Sequence, residues 1–474
     1  MDAKDRRIAE LEAENERLRR AVEKLIERVA LLEKALEESR RSGKRQAAPF
    51  RKEPPKPDPE PPGRKSGPDH GEHHRRAIPP AKAIDEIIDV PLPTTCPHCD
   101  GGHACVDPTH VVEQFQVEIP RRAIHRKFVI RVGRCRQCRR QVQGRHPLQT
   151  SNAIGAAASQ LGPNLSASLA ILNKEFGLSH GKVAGVMKQL FGVSIARAAS
   201  ARTATRIAER LKLDFERIKQ DVRGSPRVVC DETGWRIGGE NAWLHVATTG
   251  GDGPRDPSRA ATCYLVDRSR GAGPIAEVLG RDYAGVMIHD GWSPYDGFVH
   301  ARHQQCLAHL MRRCRELLET ATRGAVRFPR AVLGTFRTML ALRDRRDKGQ
   351  LGPRAVAIVR GRLRARLRRL VEPIKSCPAN ERFAKHLERH LDDCFTFLAE
   401  PGVDATNWRA EHAIRPAIVN RKVWGGNRTD RGAQVQSVLA SVIRTCRQRS
   451  LDPLDRLSLA LRSPSPLLVV ARGR

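Results

Sequence analysis

RVVCDETGWRIGG, residues 227–239, runs from a short apolar stretch straight into two acids, a glycine and a tryptophan. Val228, Val229 and Cys230 read as a buried strand that Asp231 brings to an end. A carboxylate there is either a solvated strand cap or a rigid cation ligand, and the neighbouring sequence has to separate the two. Further strand-like runs follow at AWLHVATT (242–249), ATCYLVDRS (261–269) and AGVMIHDGW (284–292), with a helix-like PIAEVLG before the last. Asp290 again closes an apolar run and is followed by glycine and tryptophan.

Three strands, a crossover helix and a fourth strand resemble the α/β ribonuclease H arrangement. There, an acid on the first strand and one at the end of the fourth meet near the middle of the sheet. Those positions are Asp231 and Asp290, and Glu411 in NWRAEHAIRP is the candidate third acid, on a later helix. Phosphodiester cleavage by in-line attack is served by two divalent ions, and Mg²⁺ or Mn²⁺ takes hard oxygen ligands, so a few rigid carboxylates suffice. With 53 Asp and Glu in the chain, three acids in order mean little by themselves. Glu232 follows Asp231 directly and so should face the other side of the sheet; Asp296 falls in a turn.

The bulk composition narrows the partner. Lys and Arg number 85 against 53 acids, a net charge of +32, which calls for a polyanion such as double-stranded DNA. No apolar stretch approaches the ~20 residues of a membrane span, and the charged N-terminus has no signal-peptide pattern, so a cytoplasmic location is expected. There is no nucleotide-binding G-x-x-x-x-G-K-[ST] loop and no H-E-x-x-H helix.

The chain divides into segments of different character. Residues 1–40 carry a heptad, with Leu11, Leu18, Leu25 and Leu32 at one seam position and Ile8, Asn15, Val22, Val29 and Leu36 at the other. This pattern predicts a parallel coiled coil and hence a homodimer. Residues 41–90 are a charged, proline-rich linker. In 91–150, Cys96-x-x-Cys99 and Cys135-x-x-Cys138 flank alternating strand-like runs, a zinc ribbon-like pattern for one structural Zn²⁺. Cys105, His98 and His103 remain alternatives for a ligand position. Arg126, Lys127, Arg131, Arg134, Arg139 and Arg140 make that module DNA-facing. Residues 151–224 read as a helical, helix-turn-helix-like DNA-binding region. The core is expected in two parts, 225–318 and 401–460, around a helical insertion at 319–400, with a tail at 461–474. Within the insertion, RAVAIVRGRLRARLRRLVEPIK (354–375) is amphipathic and basic, suited to grip phosphates.

The wording around the acids is more specific than the acids. DETGW with WLHV behind it, HDGW-x-x-Y with Cys306-x-x-His309 after it, and N-x-x-A-E-x-x-I-R-P followed by RKVWGG and RGA resemble DDE transposases, and most closely the insertion-sequence-sixty-six family in its large catalytic product. His245 and Trp292 depart from the residues more familiar in those motifs. The resemblance implies a bacterial, nucleoid-associated, metal-dependent transposase. It would cleave the ends of a mobile element, free 3′-hydroxyls and join them to target DNA through Asp231, Asp290 and Glu411. It further implies a supporting role for Cys306 and His309, DNA or supporting contacts for Arg415, Arg421, Lys422 and Arg428, and room for accessory proteins. The alternative is a non-catalytic, zinc-containing DNA-binding regulator derived from a transposase.

Overall fold

The computed structural model describes residues 11, 14–23, 25–29, 32–33, 79–89, 123–143, 146–149, 161–250, 259–463 and 469–470. The chain forms two compact units, residues 1–121 and 122–474. In the first, residues 14–23 and 25–29 are helical (α1), and Leu11, Leu18, Val22, Leu25, Val29 and Leu32 of the heptad are exposed. Ile8 and Leu36 lie outside the described residues, as do Cys96 and Cys99.

The second unit begins with a small antiparallel hairpin, β1 (Val132–Arg134) and β2 (Gln141–Gln143), whose connecting turn carries Cys135 and Cys138. Four helices follow: α2 (Pro163–Lys174), α3 (His180–Phe191), α4 (Arg197–Arg210) and α5 (Lys212–Arg223). Ser179 caps α3 by accepting the Lys182 N–H, and Gly192 ends it in the left-handed conformation (φ 67°), the two signals that bound a helix locally.

The central sheet has five strands in the order β5-β4-β3-β6-β7. β3 (Arg227–Ile237), β4 (Glu240–Thr248) and β5 (Thr262–Asp267) form an antiparallel meander. After α6 (Ala272–Leu279) crosses over, β6 (Val286–His289) lies parallel to β3, and β7 (Arg302–Gln305) lies parallel to β6. Thus the first and fourth strands are neighbours. The edge strand β7 was not expected, because RHQQ has no apolar alternation; Gln304 and Gln305 are nevertheless fully buried. Gln304 satisfies itself by accepting the Phe397 N–H at 2.7 Å and donating to the Gln305 carbonyl at 2.7 Å.

Strand alternation sorts the sheet into two faces. Val229, Leu244, Val246, Tyr264 and Ile288 join one core, and Val228, Cys230, Ala247, Cys263 and Met287 the other. The second core is filled from α2, α4, α5, α6, α13 (Asp430–Gln448) and α14 (Pro453–Arg462). The first is shared with α7 (Leu307–Thr320), α8 (Arg327–Asp347), α9 (Pro353–Val371), α10 (Pro378–Arg389), α11 (Thr396–Ala399) and α12 (Trp408–Trp424). The helices between residues 319 and 400 are therefore continuous with the core on that face. On α9, Val356, Leu363, Leu367 and Val371 face inward while Arg354, Arg362, Arg366, Arg368 and Arg369 are exposed, as its amphipathic pattern predicted. Among the described residues no helix is long and apolar enough to cross a membrane.

Candidate active site

Asp231 does not end its strand. It is the fifth of eleven residues in β3, which stays paired with β4 from Val229 to Ile237. What ends near Asp231 is the parallel pairing with β6, whose last register pair is Val229 with Ile288. Asp231 lies two residues past that pair on β3, and Asp290 two residues past it, just after the end of β6, and the charge of Asp290 reaches Asp231.

Each acid is fixed by its own backbone. The Glu232 N–H donates to Asp231 Oδ1 at 2.9 Å, and the Trp292 N–H to Asp290 Oδ1 at 3.0 Å. The bend at Asp290 requires glycine next: Gly291 has φ 90°, and an added Cβ would lie 2.3 Å from Gln305 Oε1.

The third acid arrives on α12, which crosses the face of Val229 and Ile288 with Ala410, Ala413, Ile414 and Ala417 buried; small residues let the helix approach β3 and β4 closely. Its far end is tied to the extension of β3. Arg421 donates to the Gly234 carbonyl, Trp235 Nε1 to Asn427 Oδ1 at 2.8 Å, the Asn427 N–H to the Arg236 carbonyl at 2.9 Å, and the Gly238 N–H to the Asn427 carbonyl at 2.8 Å. Trp235 and Trp424 meet edge to face at 5.6 Å. Gly426 (φ 117°) has to be glycine, since a Cβ would sit 2.4 Å from the Arg236 carbonyl oxygen. That closure is what W-G-G-N encodes.

The near end of α12 is held by C-x-x-H. The buried Cys306 thiol accepts the Asn407 N–H at 3.4 Å, the Leu307 N–H donates to the Ala405 carbonyl at 2.9 Å, and His309 Nε2 lies 3.6 Å from Glu411 Oε1. Burial pushes the Cys306 thiol pKa up, so it stays a neutral packing and hydrogen-bonding group.

The acids sense one another. Burial, then the charges of Asp290, Glu232 and Glu411, push Asp231 up to about 8. Glu232 lies on the other face, as alternation required, where it pairs with Arg270 at 3.0 Å and accepts the Tyr295 hydroxyl at 3.0 Å. Burial and Asp290 raise its pKa as well, against the pull of those partners. Arg270 is itself stacked between Trp292 (3.8 Å) and Trp243 (4.5 Å), the role that Trp292 takes up here. The other departure, His245, is buried and bonded to the Ser269 carbonyl at 2.9 Å.

Of the remaining predicted residues, Arg415, Lys422 and Arg428 are exposed. Arg415 and Lys422 follow Glu411 by four and eleven positions and so share its helical stripe. Arg421 is half-buried and used as the strut to Gly234. Sequence reasoning missed two buried amides beside the acids: both side-chain polar atoms of Asn407 and of Gln305 make no hydrogen bond among the described residues. The N-x-x-A-E spacing pointed to Asn407; nothing in R-H-Q-Q pointed to Gln305. Among the described residues no three His, Cys, Asp or Glu side chains converge at metal-ligand spacing.

The sequence profile described as Transposase IS66 family matches residues 158–435, a span that includes all three acids. The chain belongs to that family. Relatives in Sinorhizobium fredii (strain NBRC 101917 / NGR234) include Uncharacterized protein y4jD, 25% identical over 289 residues (56% of this chain, 55% of the relative). Uncharacterized protein y4hP is 24% identical over 437 residues (83% and 72%). Uncharacterized protein y4qI is 24% identical over 291 residues (57% and 53%). The chain thus spans about half the length of y4jD and y4qI. None of these names states an activity.

Proposed function

We propose that this IS66-family chain is a DNA transposase. It would use Asp231, Asp290 and Glu411 to cleave the ends of a mobile element and join the freed 3′-hydroxyls to target DNA. One observation supports this above the others: Asp231 on β3 is electrostatically coupled both to Asp290, just past the end of the neighbouring strand β6, and to Glu411 on the helix that crosses the sheet. The strand order is that of a ribonuclease H-like core.

The donor set suits a hard divalent cation. The three carboxylates do not stand at metal-ligand spacing without a cation, but they are electrostatically coupled: burial, then the charges of Asp290, Glu232 and Glu411, push Asp231 up to about 8, a burden that a bound cation would relieve. The unpartnered amides of Asn407 and Gln305 add neutral oxygens nearby. Two Mg²⁺ or Mn²⁺ ions bound there would supply charge stabilisation for attacking and leaving oxygens. The chain's own part is to hold the carboxylates rigid through β3, β6 and the strapped α12, and to lay Arg415, Lys422, Arg428 and the exposed arginines of α9 along backbone phosphates.

Two accessory readings go with this. The backbone N–H groups of Cys138 and Gln137 lower the pKa of the Cys135 thiol from its ordinary value. That fits half of a four-thiolate zinc site, with Cys96 and Cys99 as the other half. The exposed heptad on α1 fits pairing with a second copy, which would hold two element ends together.

The test incubates labelled element-end DNA with the full chain and Mg²⁺, beside Asp231→Asn. Cleaved and joined product from the wild type alone supports the proposal. Equal DNA binding with no cleavage by either protein would overturn it in favour of the regulator, and cleavage without joined product would leave only a nuclease.

A further inference from the structure

Away from the acids, a cavity of about 130 Å³ lies between α12, α13 and the C-terminal end of α2. Its lining includes Lys174, Gln436, Arg444, Arg447, Glu175 and Tyr264. Lys174 is 7% exposed and Gln436 1%. We propose that this cavity is a binding site for one phosphate-type oxyanion, with Lys174, Arg444 and Gln436 as its ligands.

A lysine is almost never buried without a partner, because stripping water from the ammonium is costly. Here no carboxylate among the described residues offsets that burial, which alone lowers the Lys174 pKa to about 7. Among the described residues its ammonium lies 5.4 Å from the Trp424 ring, and the other titratable group it acts on is His180, a base and not a counterion. Glu175, the acid in the lining, is taken by Arg447 through a forked pair at 2.8 and 3.2 Å. Arg444 spends one nitrogen on His412 Nδ1 at 2.9 Å, and its Nε is buried with no hydrogen-bond partner. Gln436 Oε1 is likewise buried and unpartnered. The Gln436 amide can turn either end to a ligand, and a monohydrogen phosphate offers both acceptors and a hydroxyl. Spare cationic donors, a free amide and a compact volume fit a tetrahedral oxyanion better than an apolar guest.

The wall of the cavity is preorganised. Asn420 on α12 donates to the Lys174 carbonyl at 2.8 Å, and Gly177 (φ 71°) admits it, since a Cβ there would lie 2.2 Å from Asn420 Oδ1. An occupant would therefore brace α2 and α13 against the helix that carries Glu411. The site claim itself stands on the cavity and is tested by binding, independently of any cleavage.

The experiment titrates inorganic phosphate into the full chain by calorimetry, in chloride buffer of matched ionic strength. Lys174→Met and Gln436→Leu are the site variants, and Arg281→Gln, at an exposed position just after α6, is the control. Expected are one saturable site in wild type and control, at least tenfold weaker binding in both site variants, and melting of Lys174→Met in chloride no lower than wild type, since an apolar isostere suits the pocket. No saturable site, wild-type affinity in either site variant, or an equal loss in Arg281→Gln would each overturn the proposal. Adding duplex DNA separates the sources: displacement of the phosphate assigns the site to a backbone phosphate of DNA, and simultaneous binding assigns it to a free oxyanion.

Discussion

Asp231 and Glu232 are consecutive acids on one strand and face opposite sides of the sheet. On the Glu232 side a guanidinium, clasped by two tryptophans, and a tyrosine hydroxyl meet the carboxylate. On the Asp231 side the local hydrogen bond comes from the backbone, and the charges it feels are Asp290, Glu232 and Glu411. The same pair of residue types thus makes a structural ion pair on one face and an unneutralised cluster on the other. The difference lies in the partners that other elements deliver: Arg270 follows β5, whereas Asp290 and Glu411 come from β6 and α12. A carboxylate whose counterion is built in has its role filled by the fold. One coupled to further carboxylates would, on the proposed function, take its counterion from solution.

The sharpest way to break this comparison is to neutralise each acid in turn. Asp231→Asn should lower cleavage by at least about 10²–10³-fold while leaving the melting temperature unchanged or higher, because burial and the neighbouring acids already favour a neutral side chain there and the amide stays neutral at every pH. Glu232→Gln should do the reverse. It strips the ion pair from Arg270 at a site where Glu232 is 3% exposed and Arg270 39%, lowering stability by roughly 1–3 kcal/mol, with cleavage per folded molecule unchanged. Thermal melts and cleavage rates on both variants decide it. If Glu232→Gln abolishes cleavage at an unchanged melting temperature, Glu232 belongs with the acids and the division by face is wrong.

A smaller effect is expected at His309, which touches the acid cluster only through Glu411. His309→Ala should reduce cleavage about 10–100-fold, and the loss should shrink as Mg²⁺ is raised, since a loosened Glu411 weakens cation affinity rather than the chemistry. A deficit that no Mg²⁺ concentration repairs would place His309 in contact with the reacting DNA.

Sequence alone carried the alternation that separates Asp231 from Glu232, and the order of strands that makes Asp231 and Asp290 neighbours. Both follow from local periodicity and short connections. The C-x-x-H spacing and the RKVWGG stretch flagged segments that hold the two ends of the Glu411 helix, but not how they do it. Cys306 acts by accepting a backbone N–H, and Arg421, expected near DNA or in support of the acids, spends its guanidinium on Gly234. Such ties are made between residues about a hundred or more positions apart, and no local pattern encodes them. For the same reason β7 was missed: Gln304 and Gln305 are buried in an edge strand by what packs over them from α11 and the turn before it. Asp231 was placed at a strand end because its apolar run stops there, whereas pairing with β4 continues for six more residues.

The faintest of the expected effects concerns another buried acid that has no ion pair of its own among the described residues. Asp214 on α5 is fully buried. Its Oδ1 accepts the N–H groups of Val469 and Val470 at 2.6 and 2.9 Å, its Oδ2 has no hydrogen-bond partner among the described residues, and Arg449, whose charge reaches it, is paired with Asp221. Burial outweighs the backbone N–H groups and the Arg449 charge and raises Asp214 to about 6 from the ordinary 3.8. Because the folded chain holds this proton more tightly than the unfolded one, the stability it contributes is fully present below about pH 4 and is lost as pH rises through about 6. Asp214→Asn keeps the Oδ1 acceptor and removes the titration. The wild-type minus variant difference in unfolding free energy should therefore fall by on the order of 2 kcal/mol between about pH 4 and 6 and be flat above pH 7. Denaturant melts of both proteins across that range measure it. A flat difference would mean that Asp214 keeps its charge in the fold, and that burial without a cation partner does not by itself distinguish the acids at the Asp231 cluster.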